Sequence, residues 1–170
     1  SSKGIGDIFV AKMNSTTGAW VWALAGGGPG DDRNHRAISV TQSGISLSGD
    51  FNGTSFNQTS TYGNFTLTST TNSSFSDILL LRVTHDGYWD FATSLGGTLN
   101  ATHGYDRGYA ISSQGNDVFV GGGFQSSTIT FGDTTLTHSG ANYEDGFFSK
   151  YIFEEDTDDD NDGLADTLDS

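Results

Sequence analysis

Residues 77–97, DILLLRVTHDGYWDFATSLGG, are written a second time, almost in step, at 7–27 as DIFVAKMNSTTGAWVWALAGG. A truncated third copy, DGFFSKY, begins at Asp145. Each copy opens on Asp and places Lys12, Arg82 or Lys150 five residues later. In the two full copies a glycine turn, Gly18 or Gly87, leads to Trp20 or Trp89, and a Gly-Gly pair closes the block. An internal repeat restricts a chain to architectures in which one supersecondary unit stacks on the next. In each block a short apolar run, a glycine turn and a second apolar run follow one another, as in a hairpin.

The composition agrees. The 170 residues hold 24 Gly but a single Pro, and Ser and Thr are abundant. That mixture favours short strands and tight turns, and no window carries a 3.6-residue apolar period. The expected fold class is all-β. A net charge of −14 repels polyanions, which argues against nucleic acid and anionic membranes as partners. There is no cysteine, hence neither disulfide nor thiolate chemistry. No apolar run reaches the length of a membrane span and no signal peptide is visible. The start, SSKG without Met, reads as a mature or excised piece of something longer.

Strands are expected at 8–13, 20–25, 37–41, 45–51, 78–83, 88–94 and 118–122, with 8–13, 20–25, 78–83, 88–94 and 118–122 facing the core. In 8–13, Phe9, Ala11 and Met13 form one face and Ile8 and Val10 the other, both apolar, as in a strand buried between two layers. Residues 52–76 read as a polar, Thr-rich insertion with one short strand near 65–68.

The second hairpin repeats as well. Ala110-Ile111 matches Ala37-Ile38, VFVGGGF at 118–124 matches ISLSGDF at 45–51, and Phe131-Gly132 with Leu136 matches Tyr62-Gly63 with Leu67. The unit therefore holds four main strands. One complete unit spans about 37–97, flanked by partial units at 7–30 and 110–153. Ala110-Ile111, Gly115-Asn116, residues 118–122, Phe131-Gly132, residues 7–13, Trp20 and Gly26-Gly27 give 7–153 a pattern that resembles the SBBP-type beta-propeller repeat. The resemblance implies antiparallel four-stranded propeller blades, about two and a fraction of them, in a secreted or surface protein without a general enzymatic activity. Two features depart from it: the long 52–76 insertion, and a blade count below the four to eight that close a ring.

Residues 154–170, EEDTDDDNDGLADTLDS, are different in kind. Asp158, Asp160 and Asp162 alternate, Gly163 allows a sharp turn, Leu164 offers a carbonyl, and Asp166 and Asp169 fall at the ninth and twelfth positions. Carboxylates so spaced converge on one hard cation, and Ca²⁺ accepts such irregular oxygen shells better than Mg²⁺ does. The twelfth residue is Asp, not the bidentate Glu of an EF-hand, and no long helices flank the loop. The segment resembles a thrombospondin type 3 repeat, which implies a calcium-binding linker between extracellular modules. A disordered acidic tail is the alternative, and without calcium the two coincide.

Other candidates reduce to structural roles. His35, His85, His103 and His138 lack metal-ligand spacing and read as turn or surface residues. Asp32-Arg33 and Asp106-Arg107 recur before the Ala-Ile strand, and read as ties between loops before they read as ligand sites. Lys12, Arg82 and Lys150, paired with Asp7, Asp77 and Asp145, read the same way. The Gly-rich stretch 26–30 lacks the Lys-Ser/Thr of a phosphate loop. Trp20, Trp22 and Trp89 suit core packing better than sugar stacking. Six Asn-x-Ser/Thr sequons (Asn14, Asn52, Asn57, Asn64, Asn72, Asn100) crowd toward the insertion, which would then be an exposed, glycosylated loop.

No catalytic residue set emerges. The expected role is a non-enzymatic secreted or cell-surface module with Ca²⁺ as its bound ion and an extracellular protein or glycan as partner. A carbohydrate-binding or carbohydrate-cleaving domain is one alternative, with Asp32, Asp50, Asp106 and Asp133 as loop carboxylates. A self-assembling subunit is another, because open strand edges invite pairing with a further chain, the hairpin at 7–27 being the natural donor.

Overall fold

The computed structural model of the chain describes residues 3–52, 57–69, 75–97, 104–140 and 143–153, with backbone alone at 34–36. Thirteen strands and no helix occur among them. They are β1 (Ile8–Met13), β2 (Trp20–Gly26), β3 (Arg33–Thr41), β4 (Gly44–Phe51), β5 (Thr59–Tyr62), β6 (Phe65–Thr68), β7 (Asp77–Val83), β8 (Trp89–Leu95), β9 (Arg107–Gln114), β10 (Asp117–Phe124), β11 (Thr128–Phe131), β12 (Thr134–Thr137) and β13 (Asp145–Ile152). The fold is all-β and every sheet is antiparallel.

A four-stranded sheet, ordered β3-β4-β7-β8, holds the middle of the chain. A two-stranded sheet, β1-β2, precedes it and a three-stranded sheet, β9-β10-β13, follows. The hairpins β5-β6 and β11-β12 are inserted at the same point of the second and third sheets. Their turns begin on Gly63 and Gly132, with φ of 59° and 56°. Two-residue loops that match strand twist need that positive φ, which glycine adopts without penalty.

Side-chain alternation along β7 explains how the sheets stack. Leu79, Leu81 and Val83 join Ile8 and Val10 of β1, Ile45 and Leu47 of β4, Phe51 and Tyr62 in one core. Ile78 and Leu80, pointing the opposite way, join Val118 and Val120 of β10, Phe124, Ile129, Phe147 and Phe153 in another. The middle sheet is thus covered on both faces, and every β7 residue except Arg82 is buried. On the β3 side the layers approach closely through small residues: a Cβ at Gly108 would stand 2.0 Å from Ser48 Oγ. Leu and Phe separate them on the β7 side. Small against large makes the second and third sheets converge toward β3 and β9.

The same connection joins successive units twice. Gly6 bridges Asp31, with Asp32 N donating to Gly6 O at 3.0 Å, and Ser76 bridges Tyr105, with Asp106 N donating to Ser76 O at 2.8 Å.

Three expectations need correction. β1 is covered on one face only: Ile8 and Val10 are buried, whereas Phe9 is 76% and Met13 53% exposed, since no described layer lies beyond them. Trp20, expected in the core, is 70% exposed for the same reason. The insertion is not simply an exposed loop. It contains β5 as well as β6, and Tyr62 at the end of β5 has no exposed surface.

Candidate functional site

The repeated Asp-Arg dipeptides stand at the entries of β3 and β9, and their two residues do different things. Asp106 is fully buried. Its Oδ1 accepts from Gln125 N at 3.0 Å and Ser126 N at 3.1 Å, and its Oδ2 accepts from Gly97 N at 3.0 Å and Ser126 Oγ at 2.7 Å. Asp32 is built alike: Gly28 N donates to Oδ2 at 2.8 Å and the Tyr62 hydroxyl to Oδ1 at 2.9 Å, with Ser60 a further donor. Each carboxylate therefore ties the Gly-Gly loop that leaves one unit to the inserted-hairpin region of the next. Burial raises the Asp32 pKa; the bonds from Gly28, Ser60 and Tyr62 oppose that rise and the nearby Asp7 charge adds to it. Burial, and then the Asp32 charge, push the Tyr62 phenol far up, so it stays a proton donor.

The arginines turn outward into a polar cavity of about 160 Å³ between the ends of β3, β4 and β9. Asp31, Arg33, Asp50, Asn52, Tyr105 and Arg107 line it. Arg33 pairs with Asp31, which holds its guanidinium firmly charged. Asn52 Oδ1 accepts from Asp31 N at 2.9 Å. Arg107 lies over the Tyr105 ring at 4.2 Å and reaches Glu144 at 3.5 Å. Ser76 Oγ and Arg107 Nε are buried without a hydrogen-bond partner among the described residues. Two guanidiniums, two carboxylates and a phenol ring thus line one polar cavity.

The remaining candidates are scattered. Asp158, Asp160, Asp162, Leu164, Asp166 and Asp169 lie outside the described residues, as do His103, Asn72 and Asn100. Among the described residues no group of three His, Asp or Glu is placed to hold a metal ion. Of the four loop carboxylates, Asp32 and Asp106 are consumed in separate latches, Asp50 lines the polar cavity, and Asp133 occupies the exposed β11-β12 turn. His85 lies in the turn after β7 and His138 directly after β12, each bonded through Nε2 to a backbone carbonyl, of Thr41 and Tyr143 respectively, at 2.7 Å.

The strand cations do not pair with the strand-opening aspartates, a correction that strand geometry explains. Five residues of extended chain put the two groups about 17 Å apart. Arg82 pairs instead with Asp90 at 3.2 Å, Lys150 with Asp117 at 2.7 Å, and Lys12 donates to His85 O at 3.1 Å. Trp22 and Trp89 do pack against the first core, Trp22 also donating Nε1–H to His85 O at 3.0 Å. Of the sequons, Asn52 is engaged with Asp31, and Asn14 caps its own turn by accepting from Thr16 N and Thr17 N.

Sequence reasoning missed the polar cavity. Its residues come from the ends of different units, and only the recurrence of Asp-Arg pointed toward it. No known protein-family model matches the chain, and no curated protein matches it either.

Proposed function

We propose that the chain is a non-enzymatic, extracellular or cell-surface module of stacked propeller-type blades, followed by a calcium-binding linker of thrombospondin type 3 character at 154–170, serving adhesion, display or assembly. The observation that carries this reading is the fate of the repeated carboxylates. Asp32 and Asp106, the buried acids most eligible for chemistry, accept hydrogen bonds from backbone and hydroxyl donors in two equivalent latches. Both carboxylates hold loops. The convergence of the second and third sheets at Gly108 and Ser48 supports the blade reading, because blades packed around an axis are closest at their innermost strands. The calcium reading is supported by spacing: Asp158, Asp160, Asp162, Asp166 and Asp169 around Gly163, with the Leu164 carbonyl.

Isothermal titration with Ca²⁺ tests the linker. Binding of one ion is expected at a Kd on the order of 10⁻⁴ to 10⁻³ M, the range of extracellular modules. An Asp160→Ala, Asp162→Ala double variant should lose that heat. Equal heats from both proteins, or none at millimolar Ca²⁺, would leave only an acidic tail.

The polar cavity favours a second reading, carbohydrate binding, since Arg33, Asp50, Asn52 and Arg107 offer donors and acceptors beside the Tyr105 ring. A glycan-array signal that disappears in Arg107→Ala supports it; a silent array counts against it.

A further inference from the structure

Repeat equivalence makes one position comparable between two interfaces. Tyr62 and Gly63 at the β5-β6 turn correspond to Phe131 and Gly132 at the β11-β12 turn. Val83 on β7, opposite Ile45, corresponds to Tyr151 on β13, opposite Val118. Ile8 and Val10, which face the middle sheet, correspond to Ile78 and Leu80, which face the third.

In the first interface Trp89 fills the space these residues enclose. It stands opposite Val83 at the start of β8. Its ring meets Tyr62 edge-on at 5.4 Å, and a Cβ at Gly63 would lie 3.1 Å from Trp89 Cβ and Cδ1. The indole is seated directly on the glycine. In the second interface that space is a cavity of about 310 Å³, lined by Ile78, Leu80, Val120, Phe131, Gly132 and Tyr151 among others. No described residue lies within 4 Å of where a Gly132 Cβ would be. β13, the counterpart of β7, pairs with β10, and no other described strand takes the edge of β13 that β8 occupies on β7. Residues 154–170 contain no Phe, Tyr or Trp.

We propose that this cavity is a docking socket for an extended segment of another polypeptide that adds to the free edge of β13 and inserts a tryptophan beside Gly132. The recognition chemistry follows from the filled socket. Main-chain hydrogen bonds along β13 supply register, and the indole pocket supplies selectivity, as in other strand additions. Asp90, next to Trp89, pairs with Arg82 at 3.2 Å. The counterpart of Arg82 is Lys150, which lines the open cavity. The preferred ligand therefore carries Trp followed by Asp, with Trp opposite Tyr151 and the carboxylate near Lys150. This inference rests on the repeat and on the cavity, not on the calcium segment, so failure of either test leaves the other intact.

A fluorescein-labelled peptide copying residues 87–97, GYWDFATSLGG, titrated against the full 170-residue chain and read by anisotropy, tests it. Saturable binding is expected, at least about tenfold weaker for the same peptide with Trp replaced by Ala, a loss of ~1.4 kcal/mol. A Ser149→Trp variant, whose added ring fills the socket from β13 itself, should lose binding while keeping its circular dichroism spectrum. Lys150→Glu should weaken the parent peptide and prefer one with Lys in place of its Asp, a rescue that misfolding does not produce. The proposal is overturned if the Trp and Ala peptides bind alike, if the charge reversal gives no rescue in a folded Lys150→Glu protein, or if N-acetyltryptophanamide binds as tightly as the peptide.

Discussion

Asp106 satisfies four donors from a position without solvent exposure, and the cost of removing it follows from that count. Asp106→Ala strands the amides of Gly97 and Ser126, whereas Gln125 N keeps the Tyr105 carbonyl at 3.1 Å. Each buried donor left without a partner costs about 1–3 kcal/mol, so the urea midpoint should fall sharply. Asp32 adds a pH signature. Its folded pKa is raised, chiefly by burial, above the value near 3.9 of an unfolded Asp. The native state then holds its proton more tightly than the unfolded chain does. Its contribution to stability is full below that unfolded pKa and declines as pH climbs through the folded pKa. The stability advantage of the parent over Asp32→Asn should accordingly be greatest near the acid end and shrink toward neutrality, as thermal melts across pH would record. Asp145 has the opposite sign: hydrogen bonds from Ser139 lower its pKa, so its contribution is lost as pH falls.

Among elements β7 carries the most. Leu81 has no exposed surface and Leu80 only 2%, on opposite faces of the strand. Leu80→Ala and Leu81→Ala should each cost ~2–5 kcal/mol through lost burial and a residual cavity. Phe148→Ala, at a residue 74% exposed, should stay within ~0.5 kcal/mol. Chemical denaturation of the three variants checks both statements. β7 was legible because ILLL shows two apolar faces and both are covered. β1 presents the same pattern through Phe9 and Val10, yet only one of its faces is covered. Neighbouring copies share a sequence pattern whether they stand inside a stack or at its end, so the pattern cannot report coverage. β5 was missed because TSTY is polar apart from Tyr62. Its place is fixed by tertiary packing, Tyr62 lying so close under Gly26 that a Cβ there would be 2.3 Å from its ring. The role of the Asp in Asp-Arg was readable from recurrence, but its partners at Gly28, Tyr62, Gly97 and Ser126 were not, since loops of unequal length bring them in.

On the scale of the whole molecule, three stacked sheets share two cores and leave apolar surface at both ends of the stack. Phe9, Met13 and Trp20 are exposed on the first sheet, and Phe148 and Ile152 on the third. A net charge of −14 opposes compaction, so added NaCl, by screening, should raise the melting temperature. Order within the stack is the central matter, and amide hydrogen exchange followed by mass spectrometry reads it directly. With the middle sheet covered on both faces, slowest exchange is expected in β4 and β7, Gly44–Phe51 and Asp77–Val83, with β2 and β13 markedly faster. Protection of β2 equal to that of β7, or slowest exchange in β1, would contradict a stack built around the middle sheet.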